Sequence, residues 1–347
     1  MRPDRLSFGA RGAARGSTSS GRLPRPRRIV ADEMTDRAPN PPEAIDPARA
    51  AAAARLPARI AFLGFGLIGG SIALALRAAG YAGTISAWTP SGRGPAEGVG
   101  RGAVEDASPS APDALDGAEL VVLAGPPLAI VGMVEAFADG LRESLDRGAT
   151  ITDVASTKSR ILASADAAAL RFVGGHPMAG REVSGAGNAR AELFVDRPWV
   201  LVPGRSSTAG DLGRVESLAI AAGARPLRME ADEHDAAVAA ISHLPLVMAA
   251  ALVESVAGTP VGSSTWPLAR RLAASGWADM TRLAKGDPEM GAGIIATNYG
   301  ALADRLIALR DVLQTWIDRL ELEPADAEVI RADLARVRSL LDEDEAS

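Results

Sequence analysis

Two patterns of apolar residues divide the chain. From about residue 58 to residue 230, short uninterrupted apolar runs alternate with longer helical stretches. Strands that are apolar throughout and separated by helices are typical of a parallel sheet covered on both faces. The runs predict strands at 59–63, 84–88, 120–123, 150–153, 171–173, 199–202 and 225–229. The intervening stretches predict helices that include 69–79, 129–143 and 157–168. We therefore predict a doubly wound α/β domain.

The pattern changes after residue 231. Residues 235–256 form one long helical run with apolar side chains on every face, which predicts a buried helix. Further helices are expected at 266–274, 280–284, 293–320 and 325–341, with no convincing strand. This predicts a second, all-helical domain. Because an all-round apolar helix also suits a contact between subunits, we expect a homodimer through this domain.

The first 57 residues differ from both regions. Residues 1–28 contain eight Arg and one Asp, and they are rich in Gly, Ser and Pro. This composition is typical of disorder. Residues 38–57 are expected to be a linker with a short helix, and folded structure is expected from about Ala58. The predicted organisation is a disordered basic arm and linker (1–57), a dinucleotide-binding domain (58–230) and a helical domain for substrate and dimerisation (231–347). An organellar address, or contact of the arm with nucleic acid or membrane, stays open.

Composition limits the available chemistry. The chain has no cysteine and three histidines, which excludes disulfides and thiolate chemistry, and no metal site is expected. The net charge is −6 despite the basic arm, so the folded part is acidic and a poor partner for nucleic acid. We find no stretch of 18 or more uncharged apolar residues, and we therefore expect no membrane partner and a cytoplasmic protein.

A glycine-rich loop follows the first predicted strand. It has the pattern G-x-G-x-x-G, formed by Gly64, Gly66 and Gly69 with Leu67 and Ile68 between them. The first glycine permits a tight turn, the second lets the backbone approach a pyrophosphate, and the third allows close helix–strand packing. The helix that begins here offers N–H donors to an anion. In this context the loop predicts a Rossmann dinucleotide site, built from these five residues.

The second predicted strand indicates which dinucleotide binds. Sites for NAD usually place an acidic residue after this strand to hold the ribose 2′-hydroxyl. Here the strand is followed by Thr89, Ser91 and Arg93, with no acid. Small hydroxyls and an arginine suit a 2′-phosphate, although Arg93 could be an ordinary loop residue. These three residues favour NADP, and NAD stays open.

Three segments carry candidate catalytic groups. Ser156 follows the predicted strand 150–153, and His176 follows the strand 171–173. His243 lies in the long apolar helix. A serine and a histidine near a nicotinamide suit alcohol oxidation, in which the histidine accepts the hydroxyl proton as hydride leaves the same carbon. Each has a structural alternative: Ser156 as a helix cap, His243 as a core histidine, and His234 as a residue of a helix start.

These segments resemble the prephenate/arogenate dehydrogenase family of tyrosine biosynthesis. The resemblance runs from about residue 59 to residue 320. It rests on GFGLIGGS at 64–71, DVASTK at 153–158, GGHPMAGRE at 174–182, SHLP at 242–245 and GWADMTRLA at 276–284. The resemblance implies NAD(P)-dependent oxidative decarboxylation of prephenate to 4-hydroxyphenylpyruvate, or of arogenate to tyrosine.

The resemblance also implies roles for individual residues. His176 accepts the hydrogen of the ring hydroxyl, and Ser156 hydrogen-bonds the same hydroxyl. Arg282 binds a substrate carboxylate, which its forked guanidinium suits. Glu182 and Asp279 match acids that position this arginine, with an ordinary ion-pair network as the alternative. His243 of the SHLP segment is placed with the substrate-binding residues.

The sequence departs from the family pattern at two positions. Leu246 stands where many members that act on prephenate have a second histidine, and Ala278 stands where many have Lys or Arg. Both departures remove polar or cationic groups from the expected substrate side, which would favour arogenate. We keep prephenate as the expected substrate and arogenate as the first alternative. The further alternatives are, in order, a generic 3-hydroxyacid dehydrogenase and a non-catalytic dinucleotide sensor.

Overall fold

The structure is a computed structural model that describes residues 45–145, 148–181, 183–321 and 326–344. The predicted basic arm therefore lies outside the described residues. The strands are β1 (Arg59–Leu63), β2 (Thr84–Trp88), β3 (Asp106–Ala107), β4 (Leu120–Leu123), β5 (Thr150–Asp153), β6 (Phe172–Pro177), β7 (Pro198–Pro203) and β8 (Arg225–Arg228). The helices are α1 (Pro47–Ala53), α2 (Leu67–Ala78), α3 (Arg93–Gly100), α4 (Ala111–Leu115), α5 (Pro127–Ala138), α6 (Ser159–Ala167), α7 (Ala209–Ala221), α8 (Ala231–Val238), α9 (Leu244–Val253), α10 (Pro260–Leu272), α11 (Ser275–Thr281), α12 (Pro288–Thr297), α13 (Tyr299–Leu320) and α14 (Ala327–Asp344).

The strands form one sheet in the order β3-β2-β1-β4-β5-β6-β7-β8. Neighbouring strands are parallel except for β6 and β7, which are antiparallel. The expectation of a wholly parallel sheet is wrong at this one pair. Between β6 and β7 the described chain contains only the 3-10 turn Ala186–Asn188. A parallel neighbour needs a longer crossover, usually a helix, so β7 returns antiparallel.

Apolar side chains fill both faces of the sheet. One cluster, on one face, contains Phe62, Phe194 and Trp199, and the cluster on the other contains Phe137 and Phe172; all five are fully buried. The carboxyl ends of β1, β4, β5 and β6 meet at one edge because these strands are parallel. This α/β sheet flanked by helices confirms the predicted doubly wound class. We call β1–β8 with α1–α7 the sheet half.

Folded structure begins earlier than the sequence predicts. Helix α1 starts after Asp46, whose side chain caps it by accepting from the Ala48 N–H at 2.9 Å. Ala52 and Ala53 are buried against the sheet half, and Arg49 donates to the Ala221 carbonyl of α7. The short helix expected in the linker is therefore part of the core.

The second part of the chain, α8–α14, is helical as predicted, and we call it the helical half. The expected single helix 235–256 is interrupted by π-helical turns at Ala239–His243 and Glu254–Gly258. The expected helix 293–320 breaks at Asn298, between α12 and α13.

Helix α9 is less covered than the sequence predicts. Within this single chain only Ala249 of α9 is fully buried, and most of the other apolar side chains of α9 are half-buried. The expectation of a buried helix is therefore wrong for the isolated chain. The run Ala231–Gly258 is also long and apolar enough to cross a membrane. The expectation that the chain has no uncharged apolar stretch of 18 residues is therefore wrong: residues 236–253 contain no Asp, Glu, Lys or Arg.

Candidate active site

The glycine loop forms a phosphate-sized cradle between β1 and α2. Gly64 has φ +93°, and a Cβ there would lie 2.1 Å from the Ala124 carbonyl oxygen, so only glycine fits. A Cβ on Gly66 would meet no atom within 4 Å, which leaves this backbone open to a ligand. Helix α2 begins at Leu67 without a side-chain cap. Its first N–H groups are available to an anion, so the loop fits the pyrophosphate of a dinucleotide.

The three candidate ribose-binding residues lie in the short segment that links β2 to the start of α3. Ser91 and Arg93 are exposed, and Arg93 begins α3 after Gly92, which has φ +66°. The Thr89 hydroxyl is buried and has no hydrogen-bond partner among the described residues. Buried polar atoms are nearly always paired in proteins, so this hydroxyl fits a site that a ligand completes.

His176 lies near the end of β6 and contacts a histidine from the helical half. Its Nδ1 is 2.8 Å from Nε2 of His234, and the two rings meet edge to face. The Nδ1 of His234 is in turn 2.8 Å from Oδ1 of Asp235. A carboxylate, a first imidazole and a second imidazole therefore form a continuous relay across the two halves.

The relay fixes the position of the protons. Since the ionised Asp235 carboxylate only accepts, Nδ1 of His234 carries a hydrogen, and in a ring with that one hydrogen Nε2 is an acceptor. Nδ1 of His176 must then donate to this atom. A neutral His176 is left with Nε2 as its basic nitrogen, by the same logic that orients the histidine of a Ser-His-Asp triad.

The charge state of His176 suits a base. Burial holds the pKa of His176 well below its usual range, and repulsion from His234, Lys158 and His243 adds to this effect. The imidazole is therefore neutral at physiological pH and can accept a proton. Burial raises the pKa of Asp235, but hydrogen bonds from His234 and from the Ser159 and Lys158 N–H groups outweigh it and leave this pKa below its usual value.

Asp235 also joins the two halves of the molecule. Its carboxylate accepts from the backbone N–H of Lys158 at 2.8 Å and of Ser159 at 2.9 Å, at the start of α6. The structural alternative for Ser156, a cap for this helix, is not what the structure shows: α6 begins at Ser159, and its first N–H groups bond to Asp235 of α8. Ser156 remains half-buried in the loop between β5 and α6.

A buried ion pair lies beside the part of β6 that precedes His176. Lys158 and Asp153 are both fully buried and bonded to each other, and Asp153 Oδ1 accepts from the Gly175 N–H at 3.0 Å. Burial lowers the pKa of Lys158, and Asp153 opposes this shift. A Cβ on Gly175 would lie 2.5 Å from the Asp153 carbonyl, and one on Gly174 would lie 3.0 Å from Lys158 Cδ. The two glycines before His176 therefore make room for this pair.

His243 is buried in the π turn before α9. Its Nδ1 is 3.1 Å from Nδ2 of Asn298, which also donates to the Asp235 carbonyl at 2.8 Å. Burial lowers the pKa of His243 to about 4, so it is neutral at physiological pH. Beside Asn298, the Thr297 hydroxyl is 2.8 Å from that of Thr157. The junction between α12 and α13 thus anchors both His243 and the loop that holds Ser156.

Two of the other expected substrate residues, Asp279 and Arg282, lie on one segment of the helical half. Asp279 is in α11, and Arg282 begins the 3-10 turn that follows it and packs against α9; both side chains are exposed in the single chain. Glu182 lies outside the described residues. Across the described part of the chain, no group of three or more His, Asp or Glu side chains is arranged to hold a metal ion.

Four residues of this site were missed or misjudged from sequence. Lys158, Asp235 and Asn298 were not singled out, and His234 was treated as a helix-start residue. One sequence feature could have pointed to His234: it is one of only three histidines, and Glu233 and Asp235 flank it at the start of an otherwise apolar helix.

Comparison with known proteins gives a consistent result. Residues 72–227 match the family model described as prephenate dehydrogenase, nucleotide-binding domain, and residues 230–331 match prephenate dehydrogenase, dimerization domain. A prephenate dehydrogenase of Bacillus subtilis is 32% identical over 76% of this chain and 71% of its own. An arogenate dehydrogenase structure from Synechocystis is 30% identical, with TM-score 0.66, and covers 83% of this chain and 99% of its own.

The fold is also found in a prephenate dehydrogenase of A. aeolicus crystallised with hydroxyphenyl propionate and NAD⁺. That structure has TM-score 0.70 at 24% identity and covers 81% of this chain and 97% of its own. The two family models together span most of the described residues. The first contains His176, and the second contains His234 and Asp235. The chain belongs to the prephenate dehydrogenase family of oxidoreductases.

Proposed function

We propose that the chain is an NAD(P)-dependent prephenate dehydrogenase, which converts prephenate to 4-hydroxyphenylpyruvate and carbon dioxide. The observation that carries this proposal is the Asp235–His234–His176 relay, which presents a neutral base at the end of β6. Family membership supplies the reaction, since relatives at 30–32% identity are named prephenate dehydrogenases. Soluble biosynthetic enzymes of this kind suit the expected cytoplasmic location.

His176 performs the proton transfer. When bound, the nicotinamide ring accepts a hydride from the hydroxyl-bearing carbon of the substrate. His176 Nε2 accepts the hydroxyl proton as that hydride leaves, and Asp235 stabilises the resulting positive charge through His234. Loss of carbon dioxide leaves its bonding electron pair in the ring, which becomes aromatic. The phenolate oxygen then takes the proton back from His176, so no net proton is released.

Other residues orient the reactants in this proposal. Ser156 donates to or accepts from the ring hydroxyl beside His176. Arg282 binds a substrate carboxylate, with Asp279 and Glu182 positioning its guanidinium, and His243 contributes a further polar contact. Their support is the match to the family's motifs.

The glycine cradle of Gly64, Gly66 and Gly69, with Leu67 and Ile68, holds the dinucleotide. We propose NADP over NAD, because the segment after β2 offers Ser91, Arg93 and the Thr89 hydroxyl, which has no partner among the described residues, but no acid. A 2′-phosphate would accept from all three. NAD use is the alternative.

Arogenate is the second candidate substrate. The Synechocystis arogenate dehydrogenase matches this chain over most of its length at 30% identity. Leu246 and Ala278 also remove polar or cationic groups from the expected substrate side. Fewer cationic groups favour arogenate, whose side chain carries an additional positive charge.

A homodimer through the helical half completes the proposal. The matched dimerization model covers residues 230–331, where several large apolar side chains are more than half exposed; these include Ile241, Leu268, Leu272 and Tyr299. Such a surface is costly in water, and a second copy of the chain would cover it. We propose that this partner, and not a lipid bilayer, contacts the apolar run 236–253. The domain limits 58–230 and 231–347 are part of this proposal, supported by the family models that meet near residue 230.

One experiment tests the reaction. Purified enzyme is mixed with prephenate or arogenate and with NAD⁺ or NADP⁺, and reduced cofactor is followed by absorbance. Turnover of prephenate is expected; turnover of arogenate alone would replace the proposed substrate, and no turnover of either would overturn the proposed function.

Two variants test the assigned residues in the same assay. His176→Asn should lower kcat by about 10²–10⁴-fold while cofactor binding, measured by calorimetry, is unchanged. Unchanged turnover would overturn the base assignment. Ser91→Asp should shift preference toward NAD⁺, and equal preference in variant and parent would remove the argument for NADP.

A further inference from the structure

Asn298 occupies the break between α12 and α13 and is buried. One atom, its side-chain Nδ2, contacts both the Asp235 carbonyl oxygen at 2.8 Å and His243 Nδ1 at 3.1 Å. The first contact sets the orientation of the amide, because a backbone carbonyl can only accept. The nitrogen of the amide, and not its oxygen, must therefore face this pair of atoms.

This orientation determines the tautomer of His243. An amide nitrogen carries two hydrogens, so one is donated to Asp235 and the other to His243 Nδ1. His243 Nδ1 must then be an acceptor. Since burial lowers the pKa of His243 to about 4, the ring is neutral, and its one hydrogen is on Nε2.

The Nε2 atom is buried and lacks a hydrogen-bond partner among the described residues. A buried N–H group without an acceptor is unfavourable, and such groups in native proteins are commonly completed by a ligand or ordered water. Asn298 also links His243 to the carbonyl of Asp235, the residue whose carboxylate begins the relay to His176. An acceptor bound at His243 Nε2 would therefore lie near the reacting groups.

We infer that Asn298 is a positioning residue that fixes His243 as an Nε2–H donor to an oxygen of the substrate, in the class of carboxylates and keto groups. The inference rests on the proposed function for the identity of that ligand. The tautomer itself does not depend on it. A hydrogen bond present in both the bound substrate and the transition state affects KM more than kcat.

The tautomer is measured first, in the full chain without substrate. The three histidines make ¹⁵N-histidine NMR simple to assign with single His variants. We expect a hydrogen-bearing Nε2 and an accepting Nδ1 at His243. In Asn298→Asp, a carboxylate faces Nδ1, so the hydrogen moves to Nδ1 or the ring becomes charged. Gln314→Glu makes the same amide-to-acid change at an exposed site of α13 and should leave the His243 signals unchanged. An Nδ1–H tautomer in the parent protein overturns the inference.

A pair of His243 variants tests the contact with substrate. Glutamine places an amide N–H near the position of Nε2, whereas asparagine places one near Nδ1. His243→Gln should keep KM within about twofold of the parent, while His243→Asn and Asn298→Asp should raise KM about tenfold with kcat little changed, as expected for loss of one hydrogen bond. Equal KM values for the Gln and Asn variants overturn the substrate contact.

Addition of prephenate or arogenate to the labelled parent should shift the His243 Nε2–H signal. If substrate is turned over without such a shift, the acceptor is ordered water and the inference fails while the proposed function stands. If neither substrate is turned over, the proposed function fails, and the NMR result in the absence of substrate still decides the tautomer.

Discussion

The sheet half and the helical half bury their apolar residues to very different extents. On both faces of the sheet, the large side chains Phe62, Phe137 and Phe172 are fully buried. In the helical half, α9 buries one residue completely, and α13 also buries one, Leu302. The sheet half therefore has a fully covered core, while the helical half leaves apolar side chains exposed, which the proposed homodimer would cover. The stability of the sheet half should therefore be independent of protein concentration, and that of the helical half should increase with protein concentration.

The largest expected effect is in the sheet core. Phe62 is fully buried and packs edge to face against Phe65. Phe62→Ala should lower the free energy of unfolding by about 3–5 kcal/mol, because it removes apolar contacts and leaves a cavity. Denaturant unfolding measures this loss, which should not change with protein concentration. Phe62→Leu, which keeps most of the volume, should lose clearly less. Equal losses would mean that this core is not tightly packed.

An intermediate effect is expected at Asp211, at the start of α7. Burial raises the pKa of this carboxyl, but hydrogen bonds from Arg171, Thr150 and Thr208 outweigh it and lower the pKa to about 2. A depressed folded-state pKa stabilises the protein above the unfolded pKa near 4 and loses this contribution as the pH falls toward 2. The shift corresponds to about 2 kcal/mol.

Asp211→Asn should therefore be less stable than the parent at pH 7, and the difference should shrink between pH 4 and pH 2 in denaturant titrations. Glu216 is in the same helix as Asp211 and forms a more exposed ion pair with Arg228 of β8. Glu216→Gln breaks this pair and should change stability by less than about 1 kcal/mol at any pH. A difference for Asp211→Asn that is constant with pH would contradict the role of its charge.

The smallest effect on the single chain is expected on α13. Leu313 and Ile317 are one helical turn apart and about half exposed, at 45% and 47%. The double variant Leu313→Glu/Ile317→Glu should change the stability of the monomer by no more than about 0.5 kcal/mol per site. It should nevertheless weaken self-association, measured by analytical ultracentrifugation. Ala308→Glu, on another side of the same helix, is the control. Equal association of parent and double variant would place the dimer contact elsewhere.

Much of the sheet could be predicted because its strands are short, apolar and bounded by helices. The predicted limits of β1, β2, β4 and β5 coincide with those in the structure. Strand β3 was missed because two residues, one of them Asp106, show no periodicity. Strand β7 was predicted, but its antiparallel direction was missed because the direction of a strand depends on its connection and not on its own residues.

Only those parts of the candidate site that belong to short sequence motifs could be predicted. The glycine loop and His176 belong to local patterns that the sequence displays. The partners of His176 do not, because His234 is 58 residues away and their contact exists only when α8 packs against β6 and α6. The alternative of Ser156 as a helix cap fails for the same reason: a distant carboxylate, from Asp235, already bonds to the start of α6.

That distant cap has a consequence for the order of assembly during synthesis. The sheet half leaves the ribosome first, with the N–H groups of Lys158 and Ser159 still bonded to water. They acquire their carboxylate only after residue 235 has emerged, and Asn298, which donates to the Asp235 carbonyl, follows 63 residues later. A nascent chain that has completed its glycine cradle therefore still lacks the contacts that align His176, the proposed base. The cradle can therefore fold before the proposed relay and its contact with Asn298 are assembled, which requires residue 298 to have been synthesised.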